Sequence, residues 1–297
     1  MRLMTDHALR DRLSQVAMVV PLVASLLLLT LLPLAFAIGT SFTDLKLNRL
    51  TRWNWIAFDQ YLRLAGDERW WISVGHSLVY IVVPTALQMV IGLILALLLH
   101  SAVKAIRWTR AIFILPMVLP PVVVGVLWKA FLLPDLGGLD YFLSLAGLAA
   151  PRFLETAHGA MGALILTLTW EWTPFVMLLL LAGLESLPQD VFEAAHVDGA
   201  TAWQQIRHVT LPMLWPTILV VLLFRIIEST KVFPVIFTIT GGGPGNATEN
   251  MDFYAYLTGF RYFDLGYSAA LLVAILLVMA VICAPLYRAL VRPQLAS

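Results

Sequence analysis

A membrane-embedded bundle of six α-helices is the fold class this sequence predicts, on three observations. Sixty per cent of its 297 residues are apolar and only 12% are charged, whereas a soluble domain is about a quarter charged. The mean hydropathy is +0.86. The apolar residues fall in blocks long enough to cross a hydrocarbon core of about 30 Å, which takes about 20 helical residues. These blocks are too long for barrel strands of roughly 9–11 alternating residues. A helix satisfies its own backbone polar groups and is the spanning element that suits them.

Six spans follow, at about 16–38, 74–99, 111–132, 160–183, 209–231 and 267–287. Arg2, Arg10 and Arg12 precede the first, and Ala35-Phe-Ala37 resembles a signal-peptidase site. The apolar run ahead of that site exceeds the roughly 7–15 residues of a cleaved signal core, so the first span reads as a retained helix. In the third span, Pro116, Pro120 and Pro121 interrupt the hydrogen-bond ladder and predict a kink or break. The only cysteine, Cys283, lies in the last span. It excludes an intrachain disulfide and a cysteine-rich metal site.

Six spans place both termini on one side. With the termini cytoplasmic, the inside segments 1–15, 100–110, 184–208 and 288–297 hold Arg2, Arg10, Arg12, Lys104, Arg107, Arg110, Arg207, Arg288 and Arg292. The outside segments carry a similar number of basic residues, but they are longer and hold many more acids. The density of Lys and Arg therefore favours cytoplasmic termini. The resulting organisation is a cytoplasmic N-terminus (1–15), a first helix (16–38), an extracytoplasmic loop (39–73), a five-helix membrane domain (74–287) with a cytoplasmic loop at 185–208, and a cytoplasmic C-terminus (288–297). Trp53, Trp55, Trp70 and Trp71 in the first outside segment suit a membrane interface. The net charge of +1 offers no basic surface for nucleic acid.

The loop at 185–208 is a polar, small-residue island between two apolar runs. Asp190 can cap a short helix, with Glu193 three residues on to complete a capping-box-like pair. That helix would run to about Asp198, and Gly199 then suits a left-handed stop. Thr201 and Gln204 repeat the box for a second helix, striped by Trp203 and Ile206. Pro212 falls near the start of the fifth span, where a missing N–H is tolerated. The island thus predicts a helix–turn–helix against the membrane. It suits an ordinary amphipathic loop as well as a docking surface, for which Ala194 and Ala195 supply low relief and Glu193 and Asp198 acidic points.

These residues carry a resemblance. Glu193-Ala-Ala-x-x-x-Gly199, nine intervening residues, then Val209-x-Leu211-Pro212 is similar to the EAA motif of the membrane subunits of binding-protein-dependent ABC importers, with Val209 where isoleucine is usual. The text from Glu193 to Pro212 resembles the carbohydrate-uptake branch. So do Arg110-Ala-Ile-Phe-Ile-Leu-Pro116, Trp172-Thr-Pro-Phe175 with Ala182-Gly-Leu184, and Thr240-Gly-Gly-Gly-Pro-Gly-Asn-Ala-Thr248. The last looks like the outer loop of the first maltose-system permease. The likeness covers roughly residues 70–290.

The resemblance implies a type I ABC importer permease fold in the inner membrane of a prokaryote. It also implies a second, similar permease, two ATP-binding subunits on the cytoplasmic side, and an extracytoplasmic solute-binding protein. Glu193, Ala194, Ala195, Asp198 and Gly199 would then form the docking segment that couples transport to the ATPase. The cargo would be a sugar or sugar-like solute, with glycerol phosphate or another small polar solute as the alternative within the family.

The chain itself does not read as an enzyme. A phosphate-binding loop needs Gly-x4-Gly-Lys-Ser/Thr, and the glycine-rich stretch 241–245 lacks the lysine. ATP and magnesium are therefore expected on the partner, with no cofactor here. No His stands with a Ser, Cys or second His at a spacing that suggests catalysis or zinc binding. An ATP-independent carrier would need ion-coupling carboxylates in an inverted repeat, and no repeat is visible.

Three charges fall inside predicted spans, where charge is costly and usually faces protein or a water-filled path. Glu171 lies about 11 residues into the fourth span, ~16 Å deep at 1.5 Å per residue. Trp170 and Trp172 bracket it, and an indole face can pack on a sugar ring, on lipid or on protein. Arg225 and Glu228 are three apart on one face of the fifth span. They suit either a mutual salt bridge or a solute or gate contact. The candidate solute path is Glu171, Trp172, Arg225 and Glu228.

Overall fold

The computed structural model describes residues 2–101 and 107–291, so Lys104 and Arg292 lie outside the described residues. The regular elements among the described residues are helices, joined by loops that include two isolated β-bridges. Five helices among them are long and apolar enough to cross a membrane: Met18–Thr40, Glu68–His100, Ala157–Glu185, Ala202–Glu228 and Leu265–Pro285. The chain divides into two units, Met1–Asp67 with Ala255–Ile275, and Glu68–Tyr254 with Leu276–Ser297.

The first unit contains α1 (Arg2–Thr40), the short α2 (Asp59–Ala65) and the first part of the last helix, which runs Leu265–Val291. Polar side chains knit its loop to these helices. The Gln60 amide donates to the Thr43 carbonyl at 3.0 Å, and Ser41 meets the Tyr61 hydroxyl at 2.6 Å. Arg63 bonds Asp264 at 2.8 Å and lies over the Tyr267 ring at 3.8 Å, while the buried Tyr267 donates to Asp67.

The second unit is built on α3 (Glu68–Ser101), α7 (Ala157–Glu185) and α10 (Leu211–Glu228). Ala96, Leu99, Val176, Met177, Leu180, Leu214 and Val221 form one buried cluster across these three helices. Close approach of α3 to α7 depends on Gly92, where a Cβ would lie 2.8 Å from the Val176 side chain. Thr156 caps α7 by accepting from the Gly159 N–H at 3.2 Å, which satisfies one otherwise orphaned donor.

The predicted third span is two helices of 12 residues each, α4 (Arg107–Val118) and α5 (Pro121–Leu132). The break falls at the prolines. Pro120 is extended at the N-cap (φ −58°, ψ 138°), and Pro121 opens α5, a position that tolerates the missing N–H. The segment expected as an outer loop at 232–266 also holds helices, Phe233–Ile239 (α11) and Met251–Tyr256 (α12). Helix α11 packs against α5. A further helix, α6 (Gly138–Leu145), follows α5.

Candidate functional site

The island folds as a short helix, a corner and a second helix. Helix α8 (Gln189–Val197) buries none of its residues. The predicted cap is corrected: Pro188 occupies the N-cap, no side chain caps the helix, and Asp190 sits in the first turn. Pro188 is already extended and blocks helix upstream, so the helix starts one residue before the predicted cap. Asp190 instead places its charge near the positive end of the helix dipole.

Gly199 has φ +75°, and nothing lies within 4 Å of a Cβ built on it. Glycine is therefore required by backbone conformation and not by space. Asp198 is the C-cap of α8, its N–H reaching the Ala194 carbonyl at 3.0 Å. On the far side, Thr201 and Gln204 form the predicted capping box for α9 (Ala202–Gln205). A π-turn at Ile206–Thr210 then leads into α10 without a break. Glu193, Ala194 and Asp198 are exposed and Ala195 is half-buried. Val197 and Trp203 are 87% and 67% exposed.

The intramembrane charges gather elsewhere in the second unit. Glu171 and Arg225 are each only 2% exposed, and both line a cavity of about 220 Å³ together with Tyr80, Trp172, Glu228 and Lys231. The Arg225 Nε donates to Gln88 Oε1 at 2.8 Å. The Gln88 amide nitrogen in turn donates to the Leu168 carbonyl at 2.8 Å. One amide thus ties α3, α7 and α10 together.

The Arg225 guanidinium also lies 4.7 Å from the centre of the Trp172 ring, within the range of a cation–π contact. Arg225 and Glu228 do not form the salt bridge that their spacing allowed. Glu228 instead pairs with Lys231 at 2.8 Å, at the end of α10, while Arg225 turns inward to Gln88. Glu171 Oε2 and Arg225 Nη1 remain buried without a hydrogen-bond partner. Trp170, by contrast, is 40% exposed and packs edge-on against Trp128 at 5.8 Å.

The glycine-rich stretch 241–245 leads into a loop fastened to α3. Arg69 grips the Glu249 carboxylate with Nε at 2.9 Å and Nη2 at 2.7 Å. Ser77 Oγ accepts from the Met251 N–H at 2.9 Å, and the Tyr80 hydroxyl donates to the Thr248 carbonyl at 3.3 Å. Burial in the first turn of α12 pushes the Asp252 carboxyl up to about 6, against a smaller lowering by its hydrogen bond from Asn250.

Sequence reasoning did not single out Gln88, Tyr80 or Val197. Gln88 carried a signal, as a lone amide in the apolar run of the second span. Val197 carried none, since a valine near a helix end is as ordinary buried as exposed.

The family profile described as "Binding-protein-dependent transport system inner membrane component" matches residues 88–294. The chain is 32% identical over 251 residues to the trehalose/maltose transport system permease protein MalF of Thermococcus litoralis, covering 84% of this chain and 83% of that one. It is 32% identical over 281 residues to the trehalose transport system permease protein SugA of Mycobacterium tuberculosis, covering 94% and 89%. Its structure is similar to a bacterial ABC transporter involved in importing the acidic polysaccharide alginate, with a TM-score of 0.83, 26% identity, and coverage of 98% and 99%. The same kind of transporter in complex with an alginate pentasaccharide-bound periplasmic protein matches at a TM-score of 0.80 and 25% identity. With its broken third span, its helix–glycine–helix corner and these relatives, the chain belongs to the inner-membrane permease family of binding-protein-dependent ABC importers.

Proposed function

We propose that this permease forms one half of the translocation path of a sugar importer, with Glu171, Trp172 and Arg225 contacting the solute. The buried, unpartnered oxygen of Glu171 and nitrogen of Arg225 beside an indole face carry this reading. A carboxylate accepts from sugar hydroxyls and a guanidinium donates to them. An aromatic face packs on the apolar C–H face of a sugar ring. A cavity of about 220 Å³ is smaller than a typical small-molecule pocket of about 300–1,000 Å³, as suits a half-path completed by a second permease. Relatives named for trehalose, maltose and alginate support carbohydrate as the class.

Energy enters at the corner formed by α8, Gly199 and α9, which faces the cytoplasm by the distribution of Lys and Arg. There Glu193, Ala194, Ala195, Asp198 and Gly199 dock an ATP-hydrolysing subunit, two of which serve the permease pair. ATP and magnesium bind to those subunits. The solute-binding protein approaches the opposite face, where the loop at 240–251 is fastened to α3. The exposure of Ala194 and Val197 on α8 supports this docking.

The test is solute uptake into proteoliposomes holding the complete transporter. Glu193→Lys should abolish ATP-driven uptake while the complex still binds its solute-loaded binding protein. Trp172→Ala should lower uptake at least tenfold while leaving ATPase docking intact. Full uptake in the first variant would overturn the coupling role, and full uptake in the second would overturn the solute path.

A further inference from the structure

The loop that follows α1 carries charge that neither the solute path nor the coupling corner uses. Its two arms are stapled together in the first unit. Thr43 and Trp55 form an antiparallel bridge. The Asp44 N–H donates to the Asn54 carbonyl at 3.1 Å, and the Ile56 N–H to the Phe42 carbonyl at 2.9 Å. The Asp44 carboxylate accepts from both the backbone N–H and the side-chain amide of Asn54. These bonds, the backbone one first, hold the Asp44 carboxyl below its usual range.

The tip of this hairpin presents Lys46, Arg49 and Arg52, all exposed, and its one acid, Asp44, is occupied by Asn54. Arg49 and Arg52 have no carboxylate partner among the described residues. Between the hairpin and the end of α1 lies an open crevice of about 490 Å³, lined by Phe36, Thr40, Leu45, Leu50, Trp53 and Trp55. Leu50, Trp53 and Trp55 are each more than half exposed. The crevice continues the apolar surface of Met18–Thr40, a span with an apolar 18-residue stretch of which none is buried against the chain.

An apolar slot opening along a membrane span, roofed by indoles, with two exposed guanidinium groups next in the chain to its lining residues Leu50 and Trp53, matches a phospholipid in three parts. Tryptophan settles at the headgroup level of a bilayer. A guanidinium grips a phosphate with parallel N–H donors. The slot takes hydrocarbon. We propose that this crevice is a binding site for an anionic phospholipid, with an acyl chain along Phe36 and Leu50 and the phosphate on Arg49 and Arg52. The cationic tip favours an anionic lipid over a zwitterionic one, because each basic residue near an anionic surface contributes on the order of 1 kcal/mol. A lipid held here would fix the hairpin against α1 and set the depth of the first span.

The experiment uses the chain purified with its partner subunits and placed in nanodiscs of mixed phosphatidylglycerol and phosphatidylcholine. Fluorescence quenching by brominated phosphatidylglycerol is compared with quenching by brominated phosphatidylcholine, in wild type and in Trp53→Phe/Trp55→Phe, so that the difference reports this site. Wild type should show preferential quenching by the anionic lipid. Arg49→Gln/Arg52→Gln should reduce that preference at least about fivefold, and Arg49→Lys/Arg52→Lys should restore part of it. All four positions are exposed, so the variants should assemble. Equal quenching by the two lipids, or a preference unchanged in the glutamine variant, would overturn the proposal. So would a glutamine variant that loses binding-protein docking but keeps the lipid preference, which would assign the hairpin to a protein partner.

Discussion

Arg225 is a buried cation in an apolar helix, with one nitrogen left unpartnered. Gln88 holds it by a single hydrogen bond to Nε. Gln88→Leu keeps the volume and removes both that bond and the one to the Leu168 carbonyl, so it should destabilise the protein by at least about 1.5–3 kcal/mol, the range for a hydrogen bond to a charged group. Gln88→Glu would give Arg225 a counter-ion but sets a second acceptor against the Leu168 carbonyl, so it should recover only part of the loss. Thermal unfolding of the detergent-purified protein reads both. Gly199 is a second residue whose chemistry is local. Gly199→Ala meets no atoms within 4 Å but must hold φ +75°, a left-handed conformation costing about 1–2 kcal/mol for a side-chain residue. The corner should relax, and ATP hydrolysis should continue with reduced uptake in a coupled proteoliposome assay.

Asp252 makes a prediction of opposite sign to the usual carboxylate. Burial raises its folded-state value to about 6, above the unfolded value near 3.8. Between these two values the folded chain binds more protons than the unfolded one, so stability falls as pH rises through this window. Asp252→Asn should flatten that slope and raise the melting temperature near neutral pH. Scans at pH 5 and pH 7 check it, and a slope unchanged by the substitution would remove Asp252 as its source. The side chain is half-buried, so solvent holds the effect to about 1 kcal/mol.

At the scale of elements, the two halves of the third span are separated by proline chemistry. Replacing both Pro120 and Pro121 by alanine would restore the missing donors and allow one helix through α4 and α5. Spin labels at Phe113 and Phe131 would then approach the separation of a straight helix, on the order of 27 Å for 18 residues. Pulsed dipolar spectroscopy measures that distance, and an unchanged value would mean that packing, not proline, makes the break. The break was legible in the sequence because Pro120-Pro121 leaves few conformations. The capping box at Thr201 and Gln204 and the turn at Gly199 were legible for the same reason, since each is decided within about four residues. The start of α8 was less so, because Pro188 competes with Asp190 for the cap and a proline acts through the residues before it.

The pairing of charges was not legible. A spacing of three places Arg225 and Glu228 on one face, but Arg225 is drawn inward by Gln88, 137 residues away, and no local pattern announces that partner. Helix α11 was hidden because a run of seven residues, apolar but for Thr238, fits helix, strand or loop equally between turns.

At the scale of the whole molecule, a membrane subunit whose exposed corner docks an ATPase, as proposed, should gain stability from that partner. Anything that binds only the folded state raises the melting temperature by mass action. Adding the cognate ATPase subunit to the purified permease should therefore raise the melting temperature measured by intrinsic fluorescence. Val197→Asp, on an exposed apolar side chain of α8, should abolish that rise without changing the melting temperature of the permease alone. A rise that survives the substitution would place the ATPase contact elsewhere.

Helix α7 gives these scales a mechanical connection. It runs 29 residues from Ala157 to Glu185, with the cavity residue Glu171 near its middle and the corner proposed to dock the ATPase just beyond its end. The arm from Glu185 back to Glu171 is about 21 Å at 1.5 Å per residue. A stiff rod of that length tilted by about 10° would sweep one end through roughly 4 Å, more than half the pitch of one helical turn. Pro174 interrupts the rod three residues from Glu171, and a proline inside a helix concentrates bending at one place. Torque applied at the cytoplasmic end would thus be spent as rotation at a joint beside Glu171 and Trp172. On the proposed function the chain would act as a crank whose pivot lies next to the load.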